Sequence, residues 1–229
     1  MTIAWLREFL TQHLQDSIFA GNTYIVGGAV RDYLLGVEDI FDFDLCVELP
    51  EGGIKLGKYL AAHNIIDRQR VNQRFANMHL DFGYMVMDIT ATRKDRYKKR
   101  SRYPIVSFAK LPEDAYRRDF TINALYMEVF DGEIIDPSGM GLIDLQKKLI
   151  RTLRDPIAVL CEDPLRILRA IRFAAVLDFK IDDELDQAIY SHANLVKNIS
   201  SQRRIVERNL MLGPDSQARA KKLLNRYRL

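Results

Sequence analysis

Beyond Arg151 every apolar pattern in this 229-residue chain repeats at three- and four-residue spacing, whereas before it strand-like and helix-like patterns alternate. That change of period constrains the fold most, because a strand turns one face to a core every second residue and a helix every 3.6. Strand-like runs fall at Thr23 to Val26, Phe41 to Val47 and Met85 to Thr92, and "ALYMEVF" and "EIID" flank Asp131-Gly132 as a β-hairpin. Helical patterns lie at the N-terminus, at "AVRDYLL" and at "IKLGKYLAAHNII". After Arg151 come "DPLRILRAIRFAAVL", "DDELDQAIYSHANLV", "SQRRIVERNLML" and "PDSQARAKKLLNRYRL", several opening on Asp or Ser caps. The expected fold class is α+β: a mixed sheet with helices over residues 1–150, then an all-helical arm over 151–229.

Hydrophobic residues make up 48% of the chain, enough for a real core. No apolar run approaches the roughly 18 residues that would span a bilayer. Arg7 and Glu8 also interrupt the opening stretch where a signal peptide is apolar. The expectation is a soluble, cytoplasmic protein with no membrane partner. Cys46 and Cys161 lie in apolar segments without metal-ligand spacing and read as reduced core thiols. The net charge of +3 conceals uneven basic charge: "RKDRYKKRSR" (Arg93 to Arg102) is almost wholly basic, and from Lys197 onward nine Lys and Arg face two acids. Such segments suit a polyanion such as RNA, although each taken singly also fits a solvated loop or helix face.

In "YIVGGAVRDYLLG" a strand ending at Val26 and a helix beginning near Ala29 would leave Gly27 and Gly28 at a turn with bare helix-terminal amides, which suits a phosphate. A tight turn alone would use the same glycines. Shortly after, "FDFDLCV" places Phe41, Phe43, Leu45 and Val47 on one strand face and Asp42 and Asp44 together on the other. Their repulsion, on the order of 1 kcal/mol in a partly screened site, becomes useful if a divalent cation sits between them, and hard Mg²⁺ takes oxygen ligands and substrate phosphates. "MVMDITATR" supplies a third acid, Asp88, that could face the pair from a neighbouring strand. Three acids around two metals fit in-line attack of a hydroxyl on phosphorus.

"GGAVRDYLLG", "DFDLCVE", "RRDFTINALY" (Arg117 to Tyr126), "DPSGMGLIDLQKKLIRT" and "EDPLRILRAIRF" (Glu162 to Phe173) stand in an order and spacing that resemble the head and neck motifs of class II tRNA nucleotidyltransferases, the CCA-adding enzymes, and of the related bacterial poly(A) polymerases. The resemblance runs from about Tyr24 to Leu212. It implies a DNA polymerase β-like nucleotidyltransferase head at 1–150, and a helical neck with the start of a body domain at 151–229. It further implies that Gly27, Gly28 and Arg31 contact the incoming triphosphate of ATP or CTP. Asp42 and Asp44 would hold Mg²⁺, and Arg118, Asp119 and Asn123 would handle ribose and phosphates. These residue types suit the roles, since a carboxylate accepts from a ribose hydroxyl and a guanidinium neutralises phosphate.

In "EDPLRILRAIRF", Asp163, Arg166, Arg169 and Arg172 recur every three residues and form one polar stripe, with Leu165, Ile167, Leu168, Ile171 and Phe173 facing a core. Cytosine and adenine both present an amine donor beside a ring-nitrogen acceptor, so a carboxylate and a guanidinium match either, while uracil and guanine present the opposite polarity. The resemblance makes Asp163 and Arg166 that base-reading pair; an intrahelical ladder among Glu162, Asp163 and Arg166 is the plainer alternative. "VNQRFANMHL" departs from the "RFGT" of CCA-adding enzymes at Ala76 and Asn77. Its "QRF" followed by His79 resembles poly(A) polymerases, whereas "DITATR" resembles tRNA nucleotidyltransferases.

The leading expectation is template-independent addition of C and/or A to the 3′ end of tRNA, with release of pyrophosphate. Poly(A) polymerase activity on other RNA is the runner-up, and a small-molecule nucleotidyltransferase or a binding protein without turnover is more distant. Family members usually extend through further helical domains. With the sequence given, the basic segments are the surfaces left to grip the acceptor, which predicts a salt-sensitive hold unless a second copy or a partner completes it.

Overall fold

The computed structural model describes residues 1–96 and 104–229. Lys98, Lys99, Arg100 and Arg102 of the basic run therefore lie outside the described residues. The chain divides into two compact units, one of residues 1–96, 104–118 and 123–139 and the other of residues 119–122 and 140–229.

The first unit opens with α1 (Ile3–Leu14), followed by β1 (Thr23–Val26), α2 (Gly28–Leu34), β2 (Asp42–Val47) and α3 (Gly52–His63). Next come β3 (Arg68–Asn72), β4 (Asn77–Asp81), β5 (Val86–Ala91), β6 (Arg93–Arg96), β7 (Ile105–Phe108), α4 (Leu111–Tyr116), β8 (Tyr126–Glu128) and β9 (Ile134–Ile135). Seven strands form one mixed sheet in the order β3-β4-β5-β2-β1-β8-β9, with β2 and β5 parallel and the other neighbours antiparallel. The hairpin expected around Asp131-Gly132 is β8–β9. A separate antiparallel pair joins β6 and β7.

One sheet face is covered and the other carries the acids. Phe43, Leu45 and Val47 of β2, Met78 and Leu80 of β4, and Met87 and Ile89 of β5 are buried beneath α3. The close approach of that helix explains its glycines: a Cβ on Gly53 would stand 2.5 Å from the Ala76 carbonyl oxygen and 2.6 Å from that of Ile89. Phe41 is a correction to the strand reading, since it is 58% exposed. The strand begins only at Asp42, and Phe41 contributes its carbonyl, which accepts from Val86 N at 2.8 Å.

The second unit contains α5 (Gly141–Gln146), β10 (Leu149–Ile150), α6 (Pro156–Glu162), α7 (Leu165–Leu177), β11 (Lys180–Ile181), α8 (Asp183–His192), α9 (Ser201–Asn209) and α10 (Ser216–Tyr227). Helices α7, α8, α9 and α10 fall where the spacing predicts, whereas α6 lies outside the named stretches and the run is not wholly helical. Lys180 and Ile181 pair in parallel with Leu149 and Ile150. Two residues give no detectable period, so a strand this short is legible only once its partner is in place. The core centres on α7, where Ile167, Leu168, Ala170, Ile171 and Ala175 are inaccessible or nearly so. Cys46 is buried as expected, whereas Cys161 is exposed on α6 and is no core thiol. Among the described residues no helix is long and apolar enough to cross a membrane.

Candidate nucleotidyl-transfer site

In the first unit, β1 ends at Val26 and α2 begins at Gly28, with Gly27 between them at φ 77° and ψ −129°. That conformation is essentially restricted to glycine. Space matters here too, because a Cβ on Gly27 would meet Asp44 Oδ2 at 3.5 Å and Arg118 Nη1 at 3.8 Å. The turn thus brings a carboxylate from β2 and a guanidinium from the segment after α4 to one backbone position. The first amides of α2 have no partner within the helix by geometry.

Asp42 and Asp44 project from the exposed face of β2. Asp44 lies opposite Val26 on one side and Asp88 on the other, so the expectation that Asp88 faces the pair from a neighbouring strand corresponds to the β2–β5 register. Asp88 Oδ1 is 3.0 Å from His79 Nδ1 on β4. The Asp42 carboxyl is raised above its ordinary value, first by partial burial and then by the Asp88 charge, with His79 opposing. Among the described residues, no group of three or more His, Cys, Asp and Glu side chains is placed to hold a metal. Two hard carboxylates on an open face nevertheless fit Mg²⁺, which commonly takes one or two protein carboxylates and completes its shell with water and substrate phosphate.

Arg31 and Arg118 are held rather than loose. Arg31 is buried, its Nε donating to Asp32 Oδ1 at 2.8 Å and its Nη1 to Asn123 Oδ1 at 2.8 Å. Arg118 Nε donates to Tyr126 Oη at 2.9 Å and to Asp114 Oδ2 at 3.2 Å. Asp114, fully buried, also accepts from Arg117 Nε, the Arg93 backbone amide and the Tyr126 hydroxyl. Burial alone would raise its carboxyl; Arg118 and Arg117, with the Tyr126 and Arg93 hydrogen bonds, hold it well below the usual range. Neither Asp114 nor Asp32 emerges from the motif reading. Asp114 had a local signal, standing three and four residues before Arg117 and Arg118 at helical pairing distance.

The second unit holds the other candidates. Asp119 accepts from Arg169 Nε at 2.6 Å through Oδ2 and from the Phe120 amide at 2.9 Å through Oδ1. The Arg169 guanidinium is raised further by that charge. Arg172 Nε lies 2.9 Å from the buried Glu207, which is also 3.9 Å from Arg169. Arg166, buried, donates from Nη1 to the Val159 carbonyl at 3.0 Å and to Glu162 at 3.1 Å, and Glu162 is bound a second time by Arg154.

The helical placement of Asp163 needs correction. It is extended between α6 and α7, because Pro164 disfavours the helical conformation in the residue before it. Its Oδ1 accepts from Leu165 N at 3.1 Å and its Oδ2 from Arg203 at 3.1 Å. The expected stripe is therefore three arginines on α7 led by a capping carboxylate. Gly27, Gly28, Arg31, Asp42, Asp44, Asp88, Arg118 and Asn123 belong to the first unit, and Asp119, Asp163, Arg166, Arg169 and Arg172 to the second.

A family profile described as the poly(A) polymerase head domain matches residues 23–151, which include the glycine turn, the acids and "RRDFTINA". The chain belongs to that family. Among curated relatives, the A-adding tRNA nucleotidyltransferase of Aquifex aeolicus is 39% identical over 90% of this chain and 25% of its own length. The CCA-adding enzyme of Anoxybacillus flavithermus is 35% identical over 83% of this chain and 46% of its own. A crystal structure of a tRNA nucleotidyltransferase complexed with a primer tRNA and an incoming ATP analogue superposes with a TM-score of 0.76, at 33% identity over 99% of this chain and 60% of the other. The chain thus spans from a quarter to about half the length of the curated relatives it matches.

Proposed function

We propose that this chain carries the nucleotidyl-transfer centre of an enzyme that adds C and/or A from CTP or ATP to the 3′ end of tRNA, with residues 1–150 as the catalytic head and 151–229 as the neck and start of the body. The observation that carries the reading is the approach of Asp44 and Arg118 to the single turn at Gly27. A carboxylate for a cation and a guanidinium for phosphate meet there beside helix-terminal amides.

In the transfer, the acceptor's 3′-hydroxyl oxygen forms a bond to the α-phosphorus, the bond to pyrophosphate breaks, and the hydroxyl proton is released. Asp42 and Asp44 would hold Mg²⁺, with Asp88 beside them. When bound, the metal supplies charge neutralisation and a more acidic hydroxyl. Gly27, Gly28, Arg31 and Arg118 orient the triphosphate, and the anchoring of Arg31 by Asp32 and Asn123 preorganises it. Asp119 and Asn123 address the ribose, Asp163 and Arg166 the base edge, and Arg169 and Arg172 complete the nucleotide side of α7.

Poly(A) polymerase activity is the second reading, favoured by the family profile and by "QRF" with His79. One assay separates the two. The purified chain is given Mg²⁺, labelled nucleotides and tRNAs ending before, within or after CCA, beside an unstructured RNA. Addition of C or A that stops at CCA supports the first reading; long A tracts on any RNA support the second; no incorporation defeats both.

A further inference from the structure

The open face of the first unit's sheet continues beyond its acids into two arginines. Strand register shows which side chains share that face, because directly opposed residues point the same way. Asp44 opposes Asp88, Asp88 opposes His79, and His79 opposes Arg70 on β3. A second row runs from Asp42 through Val86 and Asp81 to Arg68. The 3.0 Å contact between His79 and Asp88 confirms that the first row is one surface. Three inter-strand steps put Arg70 about 14 Å from Asp44.

The edge strand β3 is exposed along its whole length. Neither the Arg68 nor the Arg70 side chain enters a hydrogen bond or ion pair among the described residues, whereas those of Arg31, Arg118, Arg169 and Arg172 are all engaged by protein groups. Asp81, opposite Arg68, accepts from the Gly83 amide instead. Arg68 and Arg70 stand two residues apart, about 6.7 Å along an extended strand, a spacing comparable with that of successive phosphates in a single nucleic-acid strand.

We infer that Arg68 and Arg70 seat consecutive phosphates of the acceptor's single-stranded 3′ end, leading it across the open sheet face toward Asp42 and Asp44. The inference rests on the nucleotidyl-transfer reading and adds where the acceptor strand lies. Chemistry supports it: a polyanion approaching a pair of carboxylates is repelled, and unneutralised guanidinium groups on the same face offset that repulsion while forking onto phosphate oxygens. The distance to the acids exceeds the roughly 8 Å screening length at physiological salt. The arginines therefore act by contact with the RNA and leave the acids' ionisation alone.

The test measures affinity of the full chain for a labelled tRNA with a single-stranded 3′ tail and for its blunt-ended counterpart, across a salt series without nucleotide or metal. Wild type is compared with R68Q/R70Q and with K58Q, whose site is on α3 over the opposite sheet face. Two lost single-strand phosphate contacts should flatten the slope of log affinity against log salt by about 1.4 and weaken tailed-RNA binding about tenfold or more at low salt. K58Q should match wild type, and the apparent KM for ATP should be unchanged in R68Q/R70Q. A wild-type slope in R68Q/R70Q, or equal losses on tailed and blunt RNA, would overturn the assignment. Because the affinity and salt-slope readout needs no turnover, failure of nucleotide addition by wild type would count against the transfer reading alone.

Discussion

Asp42 and Asp114 are carboxylates of the same sheet unit; burial raises both, and the charges around each decide opposite outcomes. Asp114 is sealed among Arg117, Arg118, the Arg93 amide and the Tyr126 hydroxyl, and its carboxyl is driven down. Asp42 stands on an open strand face near another acid, and its carboxyl is pushed up. One charge is neutralised by the protein and holds the Arg118 guanidinium in place. The other is made costly first by partial burial and then by the Asp88 charge, which is the state that an external divalent cation relieves.

The largest expected effect falls on the open acids. Asp42→Ala or Asp44→Ala should abolish nucleotide addition while leaving the thermal midpoint near wild type. The sign follows from linkage: a carboxyl whose folded value lies above its unfolded value loses stability as pH rises through that interval, so its removal costs nothing at neutral pH. Full activity in either variant would erase the contrast with Asp114.

Asp114→Asn should do the reverse, destabilising the chain by about 3–5 kcal/mol, because it strands buried guanidinium groups. Here the folded carboxyl value is depressed, so the stability it contributes is complete above the ordinary carboxylate range and is lost as pH falls through the folded value. Denaturant melts should show the gap between wild type and variant widest at neutral pH and closing toward strong acid. A gap that grows on acidification would contradict the assignment.

A smaller change is expected at the base edge. Asp163→Ala and Arg166→Ala should lose preference for CTP and ATP over UTP and GTP by about 1–3 kcal/mol each, read as ratios of kcat/KM among the four nucleotides. Asp163→Ala also removes the cap on Leu165 N, at a cost of about 1 kcal/mol in stability. Unchanged discrimination would reduce both to helix architecture.

The smallest effect belongs to the second unit's basic surface, where Lys197, Arg204, Arg208 and Arg228 line a cleft of about 440 Å³. Neutralising Arg204 and Arg208 should raise the apparent KM for tRNA severalfold and flatten its salt dependence, with the KM for ATP unchanged.

What the sequence disclosed depended on how local the cause was. The glycine turn, the alternation in "DFDLCV" and the apolar spacing of α7 are properties of a few consecutive residues, and each lies where that spacing puts it. Phe41 escaped because its exposure depends on where β2 begins, and Asp163 because Pro164 outweighs the three-residue period. Asp114 and Glu207 were invisible as partners because their importance comes from which arginines fold around them. Their burial is a tertiary property, although the pairing distance from Asp114 to Arg118 was there to be read.

The contrast between the two carboxylates is tested most directly by thermal melts of wild type and Asp42→Asn with ATP, with and without Mg²⁺. A ligand that binds only the folded state stabilises it by RT ln(1 + L/Kd), where L is its free concentration, and so raises the midpoint. The predicted result is a midpoint that rises on adding Mg²⁺ to wild type with ATP and is unmoved in Asp42→Asn. An equal rise in the variant would show that the cation is held elsewhere and would contradict the role given to the open acid face.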